Sequence, residues 1–371
     1  MEIKRNWSKE DIYKLYDTPL MDLVFQAAGV HRQMNDPNEI QVSTLLSIKT
    51  GNCSEDCGYC PQSARYSTGI ENNDLMSVRV VEALAKKAQK EGSSRLCMGA
   101  AWRNVRDGEE FDQVVEMVEK VNELGMEVCC TLGMITENQA KRLANAGLYA
   151  YNHNIDSSEE YYKKVISTRG YEDRLNTIEN VRKTGVTVCS GGIIGMGETK
   201  KDRCDMLYTL SLLNPQPESV PINALVAVEG TPLEEQQPVV WHELVRMVAT
   251  ARMILPNSVI RLSAGRTEMS QEAQTLCFMA GASSIFAGEK LLTTPNPERS
   301  DDQVLFDILD IRPKAPVKKQ KESHEIENMQ EKPKWSRPGH VIDRNVKAAE
   351  KGKLNRIQET VEAPTLEDNK A

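Results

Sequence analysis

Short apolar runs rich in β-branched residues alternate with amphipathic stretches from about residue 40 to residue 290, repeating roughly every 30 residues as βα units do. The runs fall at 40–49, 95–100, 127–132, 148–155, 187–194, 219–228, 258–264 and 283–287, so the pattern predicts eight strands. Between them, FDQVVEMVEKVNELG sets Phe111, Val114, Val115, Val118 and Val121 on one face of a helix that stops at Gly125. A second helix, TENQAKRLANAG, opens on Thr136 as its N-cap and stops at Gly147. Eight strands each followed by a helix predict a (β/α)8 TIM-type barrel, an α/β fold, as one domain over residues 1–311; a doubly wound open sheet shares the same periodicity.

From residue 312 to 371 the pattern stops. This stretch is charged, contains proline and lacks apolar periodicity, which predicts a disordered tail with a marginal helix near 341–351. It holds 14 Lys/Arg and 10 Asp/Glu, a net +4, so the overall −8 leaves −12 on the barrel. An acidic barrel recruits neither nucleic acid nor anionic lipid, and a small molecule is the expected partner. The opening MEIKRNWSKEDIYKLYD is charged and acid-bearing, without the apolar core of a secretory signal or the acid-poor character of a mitochondrial one. No apolar run reaches the roughly 20 residues that span a bilayer. The expected compartment is the cytoplasm, where nine cysteines serve as metal ligands, catalytic thiols or small buried residues rather than disulfides.

GNCSEDCGYCPQ packs Cys53, Cys57 and Cys60 into eight residues, with Gly51 and Gly58 available to curl the backbone. A structural zinc site wants four ligands, and His31 and Asp56 are poorly placed to supply the fourth. A [4Fe-4S] cluster takes one thiolate per iron, so three cysteines leave one iron open to an outside ligand. The C-x-x-x-C-x-x-C spacing, with Tyr59 before the third cysteine, resembles the signature of the radical S-adenosylmethionine (SAM) superfamily. The resemblance implies that SAM binds the open iron, and that one electron from the cluster cleaves its sulfonium to give a 5′-deoxyadenosyl radical.

Cys97, Cys129 and Cys189 lie on the second, third and fifth expected strands, and Cys130 should face away from Cys129. Taken singly, each reads as a small apolar core residue, as Cys204 and Cys277 do. The segments YNHNID, CSGGIIGMGE, PINALV, EGTPL and RLSAGR narrow the resemblance to the biotin synthase family over about residues 20–292. That family converts dethiobiotin to biotin by inserting sulfur between two saturated carbons. The resemblance implies a second, [2Fe-2S] cluster on Cys97, Cys129, Cys189 and Arg261, which supplies the sulfur. By its own chemistry Arg261 would be read as half of an ion pair at a strand end.

Asn152, Asn154 and Asp156 alternate along the fourth strand and so face one side, with His153 packed on the other. The resemblance assigns Tyr59, Ala100, Asn154, Asp156, Arg174 and Ile193 to SAM, and Lys49, Asn152 and Asn223 to the substrate. Alone, Arg174 reads as a solvated helix charge. Gly191 to Glu198 fits G-x-I-x-G-x-x-E, whose glycines would let the backbone approach a flat ligand. An electron-donor protein of the flavodoxin or ferredoxin type and a homodimer are likewise implied. Two other readings compete: a radical SAM enzyme without a sulfur-donor cluster, and a zinc-stabilised binding or scaffold protein.

Overall fold

Each apolar run becomes a parallel strand and each amphipathic stretch a helix crossing back over it, because parallel neighbours cannot be joined by a tight turn. The computed structural model describes residues 3–288 and 290–317. The barrel strands are β1 (Glu39–Lys49), β2 (Arg95–Ala100), β3 (Glu127–Thr131), β4 (Ala150–Asn152), β5 (Thr187–Cys189), β6 (Gly192–Ile194), β7 (Ser219–Ala224), β8 (Val259–Leu262) and β9 (Ala282–Ala287). They follow in chain order, and β9 pairs back onto β1 from Gln41 opposite Ser284 to Thr44 opposite Ala287. The sheet is therefore closed. β5 and β6 are halves of one stave, interrupted at Ser190 and Gly191, so the eight expected strands appear as eight staves and the open-sheet alternative is excluded.

Alternation along the strands sorts the apolar residues into two layers. Leu96, Met98, Val128 and Cys130 face outward into a shell with Phe111, Val114, Val118 and Val121 of helix Glu109–Glu123. Cys97, Cys129, Ala150, Phe286 and Leu291 face inward and form a separate cluster in the lumen. The expected second helix is Glu137–Asn145, and Thr136 caps it by accepting from the backbone N–H of Gln139. Two helices that the sequence pattern did not single out, Lys9–Tyr16 and Leu20–Met34, pack outside against helices Lys200–Leu212 and Trp241–Ile254. After β9 a hairpin of β10 (Lys290–Leu291) and β11 (Thr294–Pro295) precedes helix Arg299–Leu309.

The floor of the lumen is ionic. Arg95, wholly buried, donates from Nε to Glu127 at 2.7 Å and from Nη2 to Glu218 at 2.9 Å. Residues 312–317, assigned by composition to a disordered tail, continue this floor: β12 (Arg312–Pro313) pairs with the start of β1, and the Val317 N–H donates to Glu127 Oε1 at 2.8 Å. Backbone pairing with a strand needs no apolar periodicity, which is why the pattern missed it. From residue 318 onward, the expected tail and its helix at 341–351 lie outside the described residues.

His31 lies buried on helix Leu20–Met34, in the electrostatic reach of Arg252, and is not part of the cysteine loop. Burial, and then the Arg252 charge, push its pKa down from 6.5 to about 3. A histidine depressed in the fold contributes stability that is complete above the unfolded pKa and is lost as pH falls from 6.5 toward 3. In urea titrations, wild-type stability should therefore decline relative to His31→Gln by up to about 1.4 kcal/mol per pH unit between about pH 6 and 4. Parallel declines would show that His31 is not the source.

Candidate active site

The cysteine loop leaves β1 through a left-handed turn at Gly51 (φ 77°) and Asn52 (φ 57°). A Cβ on Gly51 would stand 2.0 Å from Asn72 Oδ1. The loop then doubles back: Cys53 N–H donates to Gln62 O at 2.9 Å, and Ala64 N–H to Cys53 O at 2.7 Å, which returns the third cysteine's end of the loop to the first. Gly58 lies in the turn that curls the chain from Cys57 to Cys60, closed by Cys60 N–H donating to Cys57 O at 2.9 Å. Its N–H donates to Val165 O at 2.9 Å, and it lets the loop lie flat against that segment. Asp56 is the clamp. It accepts from Ser167 N–H at 2.9 Å, from Thr168 N–H at 3.0 Å and from both hydroxyls. Burial raises its pKa, but these hydrogen bonds outweigh it and hold the carboxyl well below the usual range. A carboxylate so engaged is not a spare metal ligand.

Cys53, Cys57 and Cys60 line a cavity of about 330 Å³ together with Cys97, Cys129 and Arg261. All the other expected site residues line it too, except Lys49 and Cys189. Lys49 stands half-buried at the end of β1, opposite Ala100. Cys189 is fully buried just behind the wall, its Sγ accepting from Asn152 Nδ2 at 3.3 Å and lying 3.9 Å from Arg261 Nη1. Cys97 and Cys129 are register partners on adjacent strands. Cys129 faces the lumen while Cys130 is packed in the outer shell, so alternation sends the two neighbours to opposite sides.

Burial pushes the Cys57 thiol up to about 11 and Cys60 up to about 12. Deeper in, donation from the Cys129 S–H holds the Cys97 thiol down, with Arg261 and Arg95 helping against burial; Cys129 is correspondingly raised. Thiols raised like those of the loop become ligands only beside a strongly positive centre. With Asp56 engaged by Ser167 and Thr168, the loop offers three thiols, a donor set that suits an iron-sulfur cluster better than a four-ligand zinc site.

Arg261 is not half of an ion pair. Its Nε donates to Ser284 Oγ at 2.9 Å, and its Nη2 to Gln41 Oε1 at 2.9 Å and Ser43 Oγ at 3.2 Å, all neutral groups. Nη1 is left toward Cys189. These second contacts, which fix the guanidinium, come from β1 and β9 and have no signature in the sequence around Arg261.

The upper wall departs from expectation in detail. β4 ends at Asn152, and Asn154 and Asp156 lie in the following turn, with Asp156 at φ 65°. Asn154 Oδ1 accepts from Gly191 N–H at 3.1 Å, so the side chain offers a ligand its amide NH2. Arg174 is buried and donates to Asp156, rather than sitting in solvent. Asn223 bridges strands, donating to Gly192 O at 3.0 Å and accepting from Ala264 N–H at 3.3 Å. A Cβ on Gly191 would meet Pro221 O at 2.0 Å, and one on Gly192 would meet Met206 Sδ at 2.1 Å. A side chain at either position would collide with a neighbouring element, so both glycines are required by packing. Glu198 is spent on the N–H groups of Gly195 and Met196 and on Arg203. His153 is packed as expected, stacked on Tyr151, yet its ring also borders the cavity. Glu55 and Arg169, which the sequence reading did not single out, also line it.

Two family models match the chain: the Radical SAM superfamily over residues 47–210, and the Biotin and Thiamin Synthesis associated domain over residues 221–312. A protein of Flavobacterium johnsoniae named biotin synthase is 65% identical over 361 residues, covering 95% of this chain and 99% of its own. Another so named, from Christiangramia forsetii, is 63% identical over 360 residues with the same coverage. Among solved structures, methylornithine synthase superposes with a TM-score of 0.70 at 17% identity, covering 84% of this chain and 94% of its own, a likeness of fold.

Breaking the buried Arg174–Asp156 pair strands a charge. Arg174→Met should lower the unfolding free energy by about 3 to 5 kcal/mol in chemical denaturation, and adding Asp156→Asn should recover part of the loss. A loss below about 1 kcal/mol would mean that water reaches the pair.

Proposed function

The chain belongs to the biotin synthase family, and from that premise we propose how its residues divide the work of the reaction. It is a radical SAM enzyme that converts dethiobiotin to biotin, and superfamily membership implies SAM and a [4Fe-4S] cluster. When bound, that cluster supplies the electron that cleaves SAM and so yields a radical able to take hydrogen from a saturated carbon, which no acid or base removes at neutral pH. Cys53, Cys57 and Cys60 hold it, and three thiolates on four irons leave one iron for SAM.

The sulfur donor in this reading is a [2Fe-2S] cluster on Cys97, Cys129, Cys189 and Arg261. The observation that carries it is the gathering of these residues, from four separate strands, in or against the lumen that the cysteine loop caps. Ser284, Gln41 and Ser43 hold the guanidinium without neutralising it, leaving Nη1 directed at the Cys189 sulfur. Tyr59, Ala100, Asn154, Asp156, Arg174 and Ile193 take SAM. Asn152 and Asn223 orient the substrate, with Lys49 at the rim for its carboxylate. The apolar lumen residues Leu45, Phe286 and Leu291 keep water from the reacting carbons.

For the layout, one barrel domain covers 1–311 and a charged extension covers 312–371, its first residues paired with β1. Among the described residues no helix is long and apolar enough to cross a membrane. We place the enzyme in the cytoplasm as a homodimer served by a flavodoxin- or ferredoxin-type electron donor.

Anaerobic incubation with dethiobiotin, SAM and a reductant should yield biotin and 5′-deoxyadenosine by mass spectrometry, from protein carrying about six irons. Four irons with full biotin yield, and labelled sulfur arriving from elsewhere, would remove the second cluster. Cys129→Ser should lose about two irons, whereas Cys130→Ser should retain all of them; the reverse result would exchange their roles.

A further inference from the structure

Glu55 lies between the first two cysteines of the loop and is buried, its side chain 3% exposed. One oxygen shares the single Thr168 hydroxyl proton with Asp56; the other, Oε1, has no hydrogen bond. Facing it at 3.8 Å is Nε of Arg169, whose side chain is 5% exposed and whose Nε has no hydrogen-bond partner either. That separation is too long for a hydrogen bond. Both residues line the cavity. Arg103 Nη1, on a side chain 35% exposed, also pairs with Glu55 Oε1 at 3.2 Å and offsets part of its charge.

A buried carboxylate and guanidinium are costly unless closely paired. The neighbouring charges are closely paired: Arg174 donates directly to Asp156, and Asp56 is saturated by Ser167 and Thr168. Because Asp56 already clamps the loop to residues 167–168, anchoring does not need a second carboxylate. Glu55 and Arg169 both stand within electrostatic reach of Cys53 and Cys57, and the Arg169 Nε has no hydrogen-bond partner. Their charges act where an added electron would reside.

We propose that Glu55 and Arg169 form an opposed charge pair that sets the reduction potential of the cluster held by Cys53, Cys57 and Cys60. This rests on the assignment of those cysteines above. Reduction adds one negative charge to the cluster, and in a poorly screened cavity it is opposed by a nearby carboxylate and favoured by a nearby guanidinium. Arg169 therefore eases electron uptake and Glu55 restrains it.

The test is EPR-monitored potentiometry of the reconstituted full chain without SAM, with iron and sulfide counted in every sample. Arg169→Gln should disfavour reduction about tenfold, a downward shift of about 59 mV for one electron. Glu55→Gln should shift the potential upward by a similar factor. Arg169→Lys, which keeps the charge, should stay within about twofold of wild type, and the double Gln variant should return toward it. If Arg169→Gln fails to assemble the cluster, the rise in Glu55→Gln and the constancy of Arg169→Lys decide. Shifts in one direction for both Gln variants, no shift, or cluster loss in every variant would overturn the pair's role and leave it a structural clamp. A wild-type chain that assembles no four-iron cluster would instead overturn the underlying cysteine assignment.

Discussion

Closure of the sheet, made by β9 pairing along β1, is the constraint on which the site depends. In a closed parallel barrel every inward position shares one lumen, and every strand delivers its C-terminal end to the same mouth. Cys97, Cys129 and Arg261 are thereby brought into one cavity, with Cys189 against its wall, although Cys97 and Arg261 lie on β2 and β8. The cysteine loop after β1, the Asn154–Asp156 turn after β4 and the β10–β11 hairpin after β9 all border that cavity for the same reason.

The lumen is graded in charge from floor to mouth. At the floor, Arg95 is bound by two carboxylates, and the backbone of residue 317 contributes a further donor to Glu127. At mid-height Arg261 has only neutral partners, so its positive charge remains available to the three thiols. Gln41 ties the two levels together, donating to Glu127 at 3.1 Å while accepting from Arg261. Around the mouth, Arg174 and Asp156 close on each other, whereas Glu55 and Arg169 stand apart. The two iron-sulfur centres proposed above would have different tasks and need different electrostatic surroundings, and the barrel offers two such settings at its two depths.

Much of this was legible before folding was considered. The strand and helix periods led to eight staves, and alternation put Cys129 and Cys130 on opposite faces, of which the structure turns Cys129 inward. The spacing of Cys53, Cys57 and Cys60 is local, so its chemistry could be read from eight residues. Three readings failed where a local pattern was asked about distant partners. Arg174 looked solvated because Asp156 lies on another element, and Arg261 looked like half of an ion pair because its neutral partners lie on β1 and β9. Residues 312–317 looked unstructured because a strand added by backbone pairing carries no apolar signature.

The sequence by itself determined the repeating βα order, the alternation of neighbouring strand residues between two faces, and the three-thiol loop, since periodicity and short-range spacing are properties of a few consecutive residues. Tertiary structure alone decided the setting of Arg261, whose contacts to Gln41 and Ser43 span 220 and 218 residues, and the loose pairing of Glu55 with Arg169. Such partnerships exist only after the barrel closes, because a hydrogen bond or ion pair depends on separation in space, which chain order does not encode for strands on opposite sides of the seam.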